Sequence, residues 1–358
     1  MRNVKLYFDI AAKKAKALIE EGNATILAIE SSCDETAAAI VENGRIIHSN
    51  IISTQIALHQ KYGGVVPEIA SRQHTQTICQ VVDSALKEAN MSFYDIDAIA
   101  VTSGPGLVGA LLVGVAYAKA LAFSLEVPLI SVHHIEGHIS ANFLEHPQLE
   151  PPFMALVVSG GHSHIIKVNT YGSYTLLGAT RDDAAGEAFD KVARVLGLGY
   201  PGGVEIDKLS SLGNCKAFAF NSSVERENNY DFSFSGIKTA VVNLVHKFEQ
   251  KDEPVPVADI AASFQESIIG TLSIKAIKAA QEYNCSVLVL AGGVAANTAL
   301  RNRLFQLAKK NNIELYAPPL LLCTDNAAMI GSAGFYRLMK GEISDIDLNA
   351  DASMSLFE

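Results

Sequence analysis

Two stretches of this chain follow one plan. Residues 26–41, ILAIESSCDETAAAIV, and residues 153–168, FMALVVSGGHSHIIKV, each read as strand, tight polar turn, strand. A third strand follows each of them, RIIHSNII in the first case and SYTLLGAT in the second, and helices come next. The restart falls at Pro151-Pro152. A plan met twice in 358 residues predicts an internal duplication, an α/β chain of two lobes rather than one enlarged core. In such a design each turn can offer backbone N–H groups to phosphates from opposite sides of a cleft. Two ordinary meanders that happen to coincide are the alternative.

The rest of the pattern fits around that frame. The opening 24 residues predict a charged amphipathic helix ended by Gly22-Asn23, and Asn43-Gly44 predicts a hairpin turn. Helices are expected near 67–89, from the SGPGLVG turn to about 123, and over HHIEGH. The second half predicts helices near 184–196, 203–212, 236–248 and 257–283, then a strand SVLVLAGG feeding a helix begun at Asn297, and a last helix near 325–339. The polar stretch 214–236 reads as an insertion. No apolar run reaches the roughly 18–20 residues of a bilayer span, and the start lacks a signal-peptide core. Five cysteines without a CxxC pair predict a reducing, cytoplasmic setting with no disulfide frame.

Five constellations carry chemistry. His134 and His138 stand at i and i+4, a spacing at which two imidazoles on one helix face reach one metal; capping or surface histidines are the plainer reading. Glu136 lies between them in a register that does not match the zinc-peptidase motif. Asp325 is the candidate third ligand, or else a helix cap, and two His with one carboxylate suit iron(II) or zinc. The turn Ser159-Gly160-Gly161 can bring bare backbone to an anion, or simply close a hairpin. Gly292-Gly293 before Asn297 makes a strand, glycine turn and helix start suited to a base or ribose. Asp190, and Asp207 after the glycines Gly202 and Gly203, can accept from ribose hydroxyls or stand on solvated faces. Asp34 and Glu35 in SSCDET can bind metal, act as a base or form the turn. SGPGLVGALLVG lacks the G-K-[ST] ending of a phosphate loop, so its glycines are expected to serve close helix packing.

In combination, ESSCDET, GGVVPEIASRQH, TSGPGLVGALLVG, HHIEGH, LVVSGGHS, GEAFDKVARVLGLGYPGG, FSFSGIKTAV and AGGVAANTALR closely resemble the universal tRNA threonylcarbamoyladenosine transferase family (TsaD), of the bacterial type, over roughly 26–338. The resemblance implies a two-lobed, duplicated fold of the actin, sugar-kinase and Hsp70 type, with a first lobe of 25–150 plus 326–345 and a second of 151–325. It implies transfer of the threonylcarbamoyl group of threonylcarbamoyl-AMP to the exocyclic amine of the adenosine 3′ to the anticodon, in tRNAs reading codons that begin with adenine. Carried over, it makes His134, His138 and Asp325 ligands of one divalent metal. It places the adenylate on Val157, Val158, Ser159, Gly160 and Gly161, with Asp190, Gly203, Asp207 and Asn297. Residues 1–24 depart from the family, which usually begins at the first strand. Glu35 or Asp34 is the candidate base for the amine.

A net charge of −10, with no basic run, predicts poor tRNA binding by the chain alone. The resemblance implies helpers, an inactive paralogue of the same fold and a small P-loop ATPase, and no membrane; exposed apolar surface on the first lobe, on the helix 67–89 with the small-residue helix after SGPG, is the expected docking face for the paralogue. A small-molecule kinase of the same superfold is the runner-up, though HHIEGH is unexpected there. A metallopeptidase is disfavoured by the histidine register, and a non-enzymatic scaffold by the presence of both histidines with Asp325.

Overall fold

A computed structural model describes residues 2–220 and 228–357. The chain runs α1 (Arg2–Glu21), β1 (Thr25–Glu30), β2 (Glu35–Glu42), β3 (Ile46–Thr54), the short α2 (Ile56–His59), α3 (Pro67–Glu88), β4 (Ala98–Gly104), α4 (Val108–Leu125), β5 (Leu129–His133) and α5 (His134–Glu145). It continues through β6 (Phe153–Val158), β7 (Ser163–Thr170), β8 (Ser173–Ala179), α6 (Ala185–Val195), α7 (Gly202–Ser210), α8 (Ser235–Gln250) and α9 (Val257–Glu282). The last elements are β9 (Val287–Ala291), α10 (Thr298–Lys310), β10 (Glu314–Tyr316), α11 (Leu320–Cys323) and α12 (Ala327–Met339). Two compact units result. One holds Met1–Glu150, Thr170–Ser173 and Thr324–Glu358; the other holds Pro151–Asn169 and Tyr174–Cys323. Of the expected insertion at 214–236, residues 221–227 lie outside the described residues.

Duplication is visible in the strand order. The first unit has the sheet β3-β2-β1-β4-β5 and the second has β8-β7-β6-β9-β10. In each, the leading strand pairs antiparallel with the next and parallel with the fourth of its set, as β1 does with β2 and β4, and β6 with β7 and β9. A short β10, three residues long, escapes the sequence reading because so brief a strand has no periodicity to detect.

In the first unit, β1 and β4 are buried on both faces, so they read as continuous apolar runs. Leu27 and Ile29 of β1 pack with Ile78 and Val82 of α3 and Val115 of α4. Ala28, between them, faces α12, where a Cβ on Gly331 would lie 3.3 Å from the Ala28 Cβ. The expected Asn43-Gly44 hairpin has φ of 52° and 67°, the paired positive values of a type I′ turn.

One expectation is corrected here. α4, 18 residues of mean hydropathy 1.8, is long and apolar enough to cross a bilayer. Its Leu111, Val115, Ala118 and Ala122 are buried at helical spacing, however, which marks it as a helix packed on a core. The glycines act as expected of close packing. A Cβ on Gly106 would sit 2.5 Å from the Ser32 carbonyl, and one on Gly114 would sit 2.4 Å from the Ser31 hydroxyl.

Both ends of the chain belong to the first unit. Tyr7, Ala11 and Ala15 form the buried stripe of α1, and the Tyr7 hydroxyl donates to the Val127 carbonyl at 2.9 Å. After α12, the chain returns along β4 and β5. Asp351 N–H donates to the Ser103 carbonyl at 2.8 Å, and Ser344 bridges antiparallel to Leu129.

Candidate functional site

The first unit gathers His134, His138 and Asp325, whose ligand atoms all lie within 4.8 Å of one another. β5 delivers the chain into α5, so His134 and His138 fall one turn apart on one face, with their rings 4.6 Å apart edge to face. Asp325 Oδ1 lies 3.5 Å from His134 Nε2 and 3.3 Å from His138 Nε2. The capping alternative for Asp325 is excluded. Asn326 fills that place, its Oδ1 accepting from Met329 N–H at 3.0 Å. The surface alternative for the histidines is excluded too, because both are buried. His133 is not on the helix at all: it caps α5, accepting from Ile135 N–H on Nδ1 and donating from Nε2 to the Met354 carbonyl at 3.1 Å.

Sequence reasoning missed Glu30. This carboxylate is fully buried at the end of β1 and accepts from Ser32 N–H at 2.5 Å, from the Thr102 hydroxyl at 2.6 Å and from His134 Nδ1 at 3.1 Å. The signal was present, since Glu30 ends an otherwise apolar strand, where a charge needs a partner. Burial alone would lower the His134 pKa, but the carboxylates of Asp325 and Glu30 outweigh it and raise it to about 9. Burial dominates at His138 and lowers its pKa. Neither ring nitrogen of His138 makes a hydrogen bond, an expensive arrangement for a buried imidazole. Two carboxylates around two buried imidazoles, one of them without hydrogen bonds, fit a divalent cation with His134, His138 and Asp325 as ligands.

Glu136 has a different task. It is buried and meets Arg337 Nε of α12 at 2.6 Å, so the acid of HIEGH holds two helices together and is not poised as a peptidase base. Arg337→Met removes that partner from a buried carboxylate. It should cost about 3 kcal/mol of stability, read as a lower urea midpoint, with metal content unchanged.

Asp34 and Glu35 lie in the turn between β1 and β2, Asp34 buried and Glu35 at the head of β2. Glu35 accepts from the Thr54 hydroxyl at 3.1 Å. Burial, with the carboxylates of Asp325 and Asp34, raises its pKa to about 10. His74 of α3 steadies this turn. Its Nε2 donates to the Cys33 carbonyl at 3.0 Å and its Nδ1 meets the Thr36 hydroxyl at 2.7 Å.

The second unit holds the other candidates. Val157 and Val158 are the buried end of β6, and Ser159-Gly160-Gly161 form the turn, with Ser159 N–H donating to the His162 carbonyl at 2.8 Å. Neither Gly160 nor Gly161 has positive φ. A Cβ on either would meet nothing within 4 Å, so they leave bare backbone beside open space. The glycines under strain are elsewhere. Gly292 has φ +89°, and its Cβ would lie 2.4 Å from the Val158 carbonyl. A Cβ on Gly186 would lie 2.6 Å from the Ser159 carbonyl, so α6 starts directly against the turn.

Asp190 Oδ1 accepts from Gly202 N–H at 2.7 Å, tying α6 to the start of α7, where Gly203 follows. Asp207 Oδ2 accepts from Thr298 N–H at 3.0 Å, tying α7 to α10. Asn297 caps α10 through Leu300 N–H at 2.9 Å and donates to Gln265 Oε1 at 2.8 Å. Asp190, Asp207 and Asn297 therefore each have a structural bond as well as a candidate ligand role. Asp207, Gln265 and Thr298 line a cavity of about 500 Å³ in this unit.

A family model described as TsaD, tRNA N6-adenosine threonylcarbamoyltransferase, matches residues 46–332. Curated proteins of that name are similar along nearly their whole length. The chain is 56% identical over 330 residues to one from Clostridioides difficile (strain 630), covering 92% of this chain and 98% of the relative. It is 57% identical over 333 residues to one from Clostridium perfringens (strain SM101 / Type A), covering 93% and 98%. Among solved structures, full-length HypF in a phosphate- and nucleotide-bound form is similar with TM-score 0.61 at 14% identity, over 88% of this chain and 46% of that one. Component A of the (R)-2-hydroxyglutaryl-CoA dehydratase of Acidaminococcus fermentans is similar with TM-score 0.53 at 15% identity, over 89% and 98%. These two likenesses concern the fold, and with the repeated sheet they identify the two-lobed, duplicated actin-like α/β plan. With a family model spanning most of the chain and relatives above half identity, this chain belongs to the tRNA N6-adenosine threonylcarbamoyltransferase family.

Proposed function

We infer that this chain transfers the threonylcarbamoyl group of threonylcarbamoyl-AMP to the exocyclic amine of the adenosine 3′ to the anticodon, in tRNAs reading codons that begin with adenine. The observation that carries the reading is identity of 56% to a transferase of which 98% is covered. The adenylate is a mixed anhydride, so its acyl group arrives activated and the protein must orient it. The amine nitrogen attacks the carbamoyl carbon, the bond from that carbon to the phosphate oxygen breaks, AMP leaves, and the amine proton passes to Asp34 or Glu35. With its pKa raised to about 10, Glu35 is protonated at neutral pH and must first lose that proton before it can accept the one from the amine. The turn 157–161, with its bare glycines, is the proposed seat of the phosphate. Asp190, Gly203, Asp207 and Asn297 are the proposed contacts to the nucleoside.

His134, His138 and Asp325 would hold iron(II), with zinc the other ion this donor set suits. When bound, such an ion supplies Lewis-acid polarisation of a carbonyl or phosphoryl oxygen. A small-molecule kinase of the same superfold has no evident use for that site. The test is mass spectrometry of tRNA nucleosides after incubation of tRNA with preformed threonylcarbamoyl-AMP, ATP and the partner proteins. Threonylcarbamoyladenosine should appear only when this chain is present.

A cytoplasmic setting is supported by five free cysteines, among them the exposed Cys79 and Cys215. The proposed partners are tRNA, an inactive paralogue of the same fold and a small P-loop ATPase. Val108, Leu112 and Phe123 of α4 are exposed and, with α3, offer the apolar face for the paralogue. With 28 Lys and Arg against 38 Asp and Glu, the isolated chain should bind tRNA weakly at about 0.15 M salt. Addition of the partners should tighten binding at least about tenfold. Titration of labelled tRNA measures both, and tight binding by the chain alone would refute the charge argument.

A further inference from the structure

We propose that Glu30 is the positioning residue of the metal centre, fixing which nitrogen of His134 faces the ion and completing its charge balance. The inference rests on the reading of His134, His138 and Asp325 as ligands, and it concerns a residue outside that set.

A carboxylate can only accept, and each hydrogen-bonded group around Glu30 can donate. Ser32 N–H reaches Oε1 at 2.5 Å, while the Thr102 hydroxyl and His134 Nδ1 reach Oε2 at 2.6 and 3.1 Å. The proton of His134 must therefore sit on Nδ1, which also lies 3.2 Å from the Ser32 hydroxyl. In the neutral ring that an ion requires, Nε2 is then the nitrogen with the free lone pair, on the side where Asp325 Oδ1 lies 3.5 Å away. A buried carboxylate behind a ligating imidazole both orients the ring and makes it a stronger donor. Glu30 is itself anchored at the backbone of the following turn and at β4, so the ring is referred to the centre of the sheet. His138 has no such support, since neither of its nitrogens makes a hydrogen bond. The structure thus makes His134 the oriented ligand and His138 the one held by packing. Charge points the same way. Glu30 and Asp325 together neutralise a divalent ion in a buried site, provided that both imidazoles are neutral.

The test uses the full chain, stripped of metal and then titrated with Co2+ and Zn2+ against a chromophoric chelator. Glu30→Gln keeps the shape and removes the charge. It should weaken binding of both ions about 10–100-fold and shift the cobalt visible bands. His134→Ala serves as the reference for the site. If it binds zinc as the parent does, the ligand reading fails. If it loses zinc while Glu30→Gln stays within about twofold of the parent, the ligands stand and the role of Glu30 is overturned. Should Glu30→Gln not fold, 15N spectra of histidine in the zinc-loaded parent protein, assigned with His134→Gln, give the answer directly. A proton on Nδ1 with zinc on Nε2 supports the proposal, and the reverse overturns it.

Discussion

His138→Ala should leave the protein with less than about a tenth of its bound metal and lower threonylcarbamoyl transfer at least about 100-fold. The side chain is 1% exposed and its two nitrogens make no hydrogen bonds, with Asp325 Oδ1 3.3 Å from Nε2, an arrangement that a bound ion would satisfy. The change also opens a space in a buried helix, which should cost about 1–2 kcal/mol without unfolding the chain. His134→Ala should match it in metal loss. Affinity should also depend on pH, because an imidazole whose pKa is raised to about 9 must give up a proton to bind an ion. Below that pH, affinity should rise with pH by up to about tenfold per unit. The checks are metal analysis of the purified variants, nucleoside mass spectrometry and metal titrations between pH 6.5 and 8.5. Full metal occupancy in both variants would remove the site.

Asp190→Ala should weaken nucleotide binding by about 1.5–3 kcal/mol, or about 10–100-fold in affinity, if its carboxylate meets ribose hydroxyls as proposed. The structure adds a complication that a second variant resolves. Asp190 Oδ1 already accepts from Gly202 N–H at 2.7 Å, so alanine also loosens the start of α7, at a cost of about 1 kcal/mol. Asp190→Asn keeps an oxygen for Gly202 and loses the charge. It should retain the parent's thermal midpoint and still lose most of the affinity. Calorimetry with ATP on both variants separates the roles: an asparagine variant that binds as the parent does would leave Asp190 as an anchor of α7 alone.

Much of this protein is local and therefore readable in one dimension. The repeated strand, turn, strand is a pattern of alternation and turn residues, and it led to two sheets of one order. His134 and His138 share a helix face because the 3.6-residue turn puts them there. Asn43-Gly44 makes its hairpin because few other pairs accept positive φ twice. Tertiary structure alone decided the rest, since it depends on what lies beside a residue and not on what precedes it. That Asp325 is not the cap turned on Asn326 taking that place, and its candidacy as a ligand rests on its meeting histidines almost 200 positions away. The histidines themselves proved buried and not exposed, because α12 packs closely on their helix, with Ile330 and Met329 against Gly137. Glu30 and His74 became part of the site only when folding placed a carboxylate behind His134 and an imidazole beneath the turn 33–36. A sequence lists the charges that must be buried somewhere; only the fold pairs them, because the desolvation of each is offset by partners that distance along the chain does not predict.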